Sequence, residues 1–398
     1  MAGKVVLGLG GTVDYEVRWD AAVLEGLAGT YGVRRDELTT TSSIRDERDL
    51  VATVLGFLAT GAGGERFVDT SRIVTEFAAR FETAVTLGGT GVRAGIALDR
   101  LGIGSVQHLV SIDDNVRRLM PASARMVCSA THDTLDPHLI VQYPRGAQVR
   151  LTDGEIVAPG ANRLIFANDP PNREMALAVG LAAELADADA FLVSGFNTMQ
   201  DEELLGRRLT DLRAAMAHLP ADALVYYEDA GFYVRTFAEV IRAHLLPRID
   251  VYGMNEDELQ EYLGREVRLT DPGDVARALS AAHELIPAPA LVVHTRHWAI
   301  AVGPHADRHR ASLESGVRVA ATRYRLGDAA VAADVAATAA FARDRHGENV
   351  VAGVERMLPG TAGVAAYVVE VPSPTTIGLG DTFVGGFLAP VARPAVMG

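Results

Sequence analysis

The residues whose spacing carries most chemistry lie near the end of the chain, in Thr375-Thr376-Ile377-Gly378-Leu379-Gly380-Asp381-Thr382-Phe383-Val384-Gly385-Gly386-Phe387. Two glycines, an acid and a hydroxyl run straight into an apolar stretch that reads as a helix. Such a turn directs several backbone N–H groups outward at a helix N-terminus, where the helix dipole also favours an anion. Gly378 and Gly380 put no Cβ between that backbone and a phosphate. A carboxylate beside an anion site is repelled by the anion. Asp381 makes sense there as a base that takes the proton of a hydroxyl attacking a phosphoryl group. It makes equal sense as a helix N-cap.

Asn255-Glu256-Asp257-Glu258 follows the strand-like run Ile249-Asp250-Val251-Tyr252-Gly253 and opens a helix. Asn255 and Glu258 fall one turn apart on one helix face, and the pair also reads as a capping box. Glu228 ends a neighbouring strand-like run, Ala223 to Glu228. Two carboxylates converging on a polyphosphate crevice suggest an Mg²⁺ site reached through waters. Thr86-Leu87-Gly88-Gly89-Thr90-Gly91 precedes a helical run from Val92 to Leu101. It reads either as a tight strand-to-helix turn or as a backbone surface for a polyhydroxyl compound, with Asp14 accepting from its hydroxyls. Val293-His294-Thr295-Arg296 ends another strand and either holds a nucleotide or closes a loop.

The elements that would position these residues alternate strand and helix. Strands are expected at Val5–Leu7, Ala190–Gly195, Ala223–Glu228, Ile249–Gly253 and Ala290–His294, with helices over 201–218 and 234–244 between them. Near-continuous apolar runs indicate parallel strands covered on both faces, and ligands in such sheets bind outside the strands' carboxyl ends. Residues 15–75 carry charged and glycine-rich turns, and 125–165 alternate in short runs that suit antiparallel strands. A discontinuous second domain is therefore expected. The tail from Pro390 reads as frayed.

Composition bounds the rest. The 398 residues carry 51 acids against 37 bases, a net charge of −14 at pH 7, which is the opposite of a nucleic-acid-binding footprint. Lys4 is the sole lysine, so any side-chain phosphate clamp must be made of arginine, which grips oxyanions in a planar fork. With Cys128 alone, no intramolecular disulfide and no cysteine metal cage can form. The first apolar run is too short for a signal sequence and no run is long enough to span a bilayer, so the expectation is a cytoplasmic protein without membrane or nucleic-acid partners, monomeric or homodimeric.

The order Asp14, Gly88-Gly89, Glu228, Asn255-x-x-Glu258, Val293-His294-Thr295 and Gly378-x-Gly380-Asp381 resembles the ribokinase-like sugar kinases, and among them the ADP-dependent glucokinase and phosphofructokinase branch. The stretches around Leu139, Asn162-Arg163-x-Ile165, Ser194-Gly195-Phe196 and Gly253-Met254-Asn255-Glu256 extend the resemblance over most of the chain. It implies an α/β fold with a Rossmann-type three-layer core and a central, mostly parallel sheet, plus a smaller β-rich lid. We expect the core over 1–14, 76–124 and 166–398 and the lid over 15–75 and 125–165. The resemblance implies Asp381 as general base and the Gly378–Gly380 turn as anion hole. Glu228, Glu258 and Asn255 would organise Mg²⁺. Asp14, Gly88, Gly89, Thr90 and His138 would line the acceptor pocket, with Glu65 reaching in from the lid. Val293, His294, Thr295 and Leu379 would hold the nucleotide, ADP as donor and AMP as product.

Three positions depart from the family pattern. Tyr226 stands where a histidine is usual, Thr12 where an asparagine is, and Thr90 where Asn or Gln is. Sugar-facing positions are thus altered while those assigned to base and metal are kept, which points to a changed acceptor. A phosphosugar would need Arg145, Arg150, Arg163 or Arg173 as its clamp, whereas Glu65 in the pocket would repel a phosphate and favour a neutral polyol. An ATP-dependent ribokinase-like kinase and a catalytically silent binding protein of the same fold are the rival readings.

Overall fold

The computed structural model describes residues 3–371 and 377–392. Thr375 and Thr376 of the glycine motif and the tail beyond Ala392 lie outside the described residues. The architecture is α/β, built on a nine-stranded sheet. Its spatial order is Thr361–Ala365, Trp298–Val302, Ala290–His294, Val251–Asn255, Leu224–Glu228, Ala190–Val193, Val5–Leu7, Ser105–Leu109 and Ala124–Cys128. All neighbours from Ala290–His294 onward pair in parallel, and Trp298–Val302 runs antiparallel to both of its neighbours. The expected strands are all present within a residue or two of their expected ends.

Chain direction explains why these runs are apolar throughout. Val5–Leu7, Ala190–Val193 and Ala290–His294 are buried along their whole length, as strands covered on both faces must be. One side is packed by Glu202–Met216 and Pro272–Leu285, whose Leu205, Leu209, Leu212, Val275 and Leu279 are buried in one cluster. On the other side Leu379–Ala392 packs against Arg310–Leu326 and Thr90–Arg100. The strand order reverses around Val5–Leu7, so the crevice at its carboxyl end, Gly8 to Gly11, is where a ligand is expected.

A second, five-stranded sheet has the order Gly64–Phe67, Asn162–Ala167, His138–Tyr143, Thr12–Val17, Thr83–Gly88, with its own hydrophobic cluster. The strands cross the expected boundaries. Thr12–Val17 and Thr83–Gly88, counted wholly or partly with the core by sequence, pair antiparallel in the small sheet, Asp14 opposite Thr86. Ala124–Cys128, counted mostly with the small unit, is instead an edge of the large sheet, parallel to Ser105–Leu109. A short strand running into a helix looks like a core βα unit, and only its pairing partner shows otherwise.

Residues 15–75 also hold more than turns. They form helices Ala21–Tyr31, Glu47–Thr60 and Ser71–Ala78. Asp20 and Asp46 cap the first two by accepting from backbone N–H groups of the first turn, and Gly32 and Gly61 close them in left-handed conformation. Leu24, Leu50, Val54, Leu58 and Phe77 bury against the small sheet. Among the described residues no helix is long and apolar enough to cross a membrane.

Candidate active site

The two sheets meet over one cavity of about 690 Å³. Asp14, Glu65, Gly88, Gly89, Thr90 and His138 line it from the small sheet and the turn after it. Glu228, Asn255, Glu258, His294, Gly378, Leu379, Gly380 and Asp381 line it from the large one. Val293 and Thr295 stand outside that wall. Val293 is fully buried in the core, and the Thr295 hydroxyl closes a turn by donating to the Trp298 carbonyl and accepting from His297 and Trp298 N–H.

Asp381 is the third residue of Leu379–Ala392, inside the helix rather than at its cap. Thr382 locks the preceding turn, its N–H and hydroxyl both reaching the Gly378 carbonyl at 3.0 and 2.7 Å. Gly378 has φ +64°, which glycine adopts without strain. A Cβ there would also collide with Arg93 Cδ at 2.4 Å and approach Asp381 Oδ2 at 3.2 Å. On the opposite wall Asp14 accepts from the Thr12 hydroxyl at 2.7 Å and from Arg93 Nη2 at 3.3 Å. Gly88 is required beside them, because a side chain would meet the Asp14 carboxylate at 2.4 Å.

His138 Nε2 lies 3.0 Å from Asp169 Oδ2. Burial works against its charge, and the carboxylates of Asp169, Asp14 and Glu65 outweigh that and raise its pKa. Asp169 is further held by Asn172, whose side-chain amide donates to it at 2.7 Å and to the Gly11 carbonyl at 3.0 Å. Arg163 and Arg173 line the cavity. Arg145 and Arg150 are exposed elsewhere on the small unit, with Arg150 beside Glu25.

Both readings of Asn255 and Glu258 hold together. Asn255 caps Glu256–Leu263 by accepting from Asp257 and Glu258 N–H, and Glu258 accepts from Asn255 N–H at 2.7 Å and from its side-chain amide at 2.9 Å. Burial, then the Glu228 carboxylate, push Glu258 up to about 8. Glu228 Oε1 meets His294 Nε2 at 2.8 Å, so His294 faces the acidic pair. Burial opposes charge on His294, but Glu228 and Glu258 raise its pKa. Glu228 Oε2 is buried without a hydrogen-bond partner among the described residues. That orphaned oxygen and the repulsion within the pair mark a deficit of positive charge, which a hydrated Mg²⁺ fits. Among the described residues no three His, Cys, Asp or Glu side chains form a direct metal cage, so the cation would be held largely through waters.

Arg93, Asp169 and Asn172 went unread in the sequence. A cation two residues beyond Gly91, on a helix otherwise apolar toward the sheet, was the available signal for Arg93. Asp169 and Asn172 look only like the cap and first turn around Pro170-Pro171, and that is one of their roles.

The model of the ADP-specific phosphofructokinase/glucokinase conserved region matches residues 3–388. The chain belongs to this family. A probable ADP-dependent glucokinase of Caenorhabditis elegans is 22% identical over 271 residues, 65% of this chain and 52% of that protein. The match thus spans about half the length of that curated relative. A hypothetical ADP-dependent phosphofructokinase from Pyrococcus horikoshii has the same fold, with a TM-score of 0.79 at 19% identity over 98% of both chains. An ADP-dependent kinase solved with fructose-6-phosphate and ADPβS has a TM-score of 0.72 at 15% identity, over 99% of this chain and 95% of that one. The family assignment matches the resemblance seen in the sequence.

Proposed function

We propose that the protein is a kinase that transfers the β-phosphoryl group of ADP to a hydroxyl of a sugar-like acceptor, releasing AMP. The observation that supports this best is the placement of Asp381 beside the Gly378–Gly380 turn on the wall of a cavity whose other wall carries Asp14. The acceptor hydroxyl gives its proton to the Asp381 carboxylate, and its oxygen forms a bond to the β-phosphorus. The bond from that phosphorus to the bridging oxygen breaks, and AMP leaves with the electron pair. The N–H groups of the turn and the start of Leu379–Ala392 face the charge that develops on the phosphoryl oxygens.

Asp14, His138, Asp169 and Asn172 offer a fixed mixture of donors and acceptors, which suits a polyhydroxylated acceptor. Glu65 and Arg163 stand on neighbouring strands of the same wall, one disfavouring and one favouring a phosphate on it. Glu228 and Glu258, with Asn255 holding Glu258, would bind Mg²⁺ through waters. Bound there, the ion would neutralise donor phosphate charge. The five-stranded sheet acts in this reading as a lid over the acceptor.

The test is phosphoryl transfer with magnesium across neutral sugars, sugar phosphates and nucleosides, with ADP and ATP compared. AMP formed from ADP only when one acceptor is present is the expected result. Turnover with ATP alone would overturn the donor assignment. Nucleotide binding without turnover on any acceptor would overturn the kinase reading.

A further inference from the structure

Arg93 is the least expected group in the cavity wall. It lies on Thr90–Arg100, directly after the Gly88-Gly89-Thr90-Gly91 turn, and is 5% exposed. A buried arginine needs counter-charge, and Arg93 has an excess. Its Nη2 is 3.3 Å from Asp14 and 3.8 Å from Glu16. Its stem passes so close to Gly378 that a methyl group there would strike it, and the same methyl would lie 3.2 Å from Asp381 Oδ2. Burial opposes its charge, and Asp14, Asp381, Asp328 and Glu16 outweigh the burial and raise its pKa.

This location solves a problem that the proposed reaction poses. An anionic base and an anionic phosphoryl group must share one site, and Asp14 adds a third negative group. Arg323, the other buried arginine at this turn, donates to the Ile377 carbonyl and pairs with Asp328 at 2.8 Å. It fixes the turn from behind. Arg93 runs from Asp14, on the small sheet, past Gly378, just before the helix that carries Asp381.

We propose that Arg93 is a positioning residue for phosphoryl transfer: its buried guanidinium holds Asp14 beside the Gly378 turn that precedes Asp381 and supplies the fixed positive charge that lets base and phosphoryl share the site. The inference rests on the reading of Asp381 as the base. Gly378 is glycine, on this view, partly because the guanidinium stem must pass it.

The test compares Arg93→Ala and Arg93→Lys in the full chain, using the acceptor that the wild type turns over best. Arg93→Ala is expected to lower kcat about 100-fold and to raise acceptor KM at least tenfold, while AMP binding measured by calorimetry stays within threefold. Guanidinium chloride at millimolar concentration should restore part of kcat, and sodium chloride at the same ionic strength should not. Arg93→Lys keeps the charge without the planar fork, so kcat should stay within tenfold while acceptor KM rises. An Arg93→Ala enzyme that binds AMP and keeps kcat and KM within threefold of wild type overturns the inference. If Arg93→Ala does not fold, Arg93→Lys with both constants unchanged overturns it instead. A wild type without turnover brings down the kinase reading and this inference with it, so the two failures are told apart by the wild-type control.

Discussion

At the residue scale the proposed chemistry depends on single carboxylates. Asp381 makes no hydrogen bond to another described residue that would give it a structural task, so removing its basicity should leave the fold alone. Asp381→Asn is expected to lower kcat by roughly 10²–10⁴ while ADP and AMP affinities stay within threefold, read by steady-state kinetics and calorimetry. Retention of most activity would remove Asp381 from its role. Glu258 accepts from Asn255 at both oxygens and still faces Glu228, so a neutral amide keeps one of the two Asn255 bonds and weakens the cation. Glu258→Gln should raise the magnesium concentration for half-maximal activity by roughly tenfold, and an unchanged metal requirement would count against the site. Asp381, Glu228 and Glu258 were legible because acids at the ends of apolar runs are conspicuous. Arg93 and Asp169 were not, because their meaning lies in partners 79 and 31 residues away.

At the scale of elements, strands buried on both faces declared themselves as apolar runs, and Ala290–His294 was readable to the residue. The small sheet was harder, since Thr83–Gly88 and Gly64–Phe67 are short and half-buried, and half-buried strands next to helices carry weak alternation. The span from Arg310 to Thr361 gave no reading, although its first helix packs on the one carrying Asp381. One strand makes a separate claim about pH. His108, on Ser105–Leu109, accepts the Ala178 N–H at Nε2 at 2.9 Å, and burial holds its pKa down to about 4. The unfolded chain takes up that proton near pH 6.5. Stability is therefore full above pH 6.5 and is lost as pH falls toward 4, by about 3 kcal/mol in all. His108→Gln keeps an acceptor and loses the titration. Between pH 7 and pH 5 wild type should lose about 2 kcal/mol more than this variant in urea unfolding, and parallel losses would refute the assignment.

At the scale of the molecule, each sheet has a hydrophobic cluster of its own, and a further cluster joins Val13 and Leu87 of the small sheet to Leu109 of the large one. Near Glu65, an aromatic contact also crosses the cavity. Tyr233, on the loop after the Leu224–Glu228 strand, stacks on Phe67 of the small sheet with ring centroids 4.1 Å apart. Its hydroxyl also reaches Glu65 at 3.4 Å. The loop therefore ties the end of the strand that carries Glu228 to Gly64–Phe67, on the wall that we propose faces the acceptor. An aromatic pair of this kind contributes roughly 0.5–1.5 kcal/mol beyond its buried area, enough to shift a closure equilibrium by up to about tenfold. Tyr233→Ser should therefore raise acceptor KM several-fold with kcat less affected. It should also let water compete for the phosphoryl group, because an incompletely closed site no longer excludes it. The measurement is the ratio of AMP formed to acceptor phosphorylated. It should be close to one for wild type and clearly above one for Tyr233→Ser. A ratio of one in both, with acceptor KM unchanged, would mean that the stack does not govern closure.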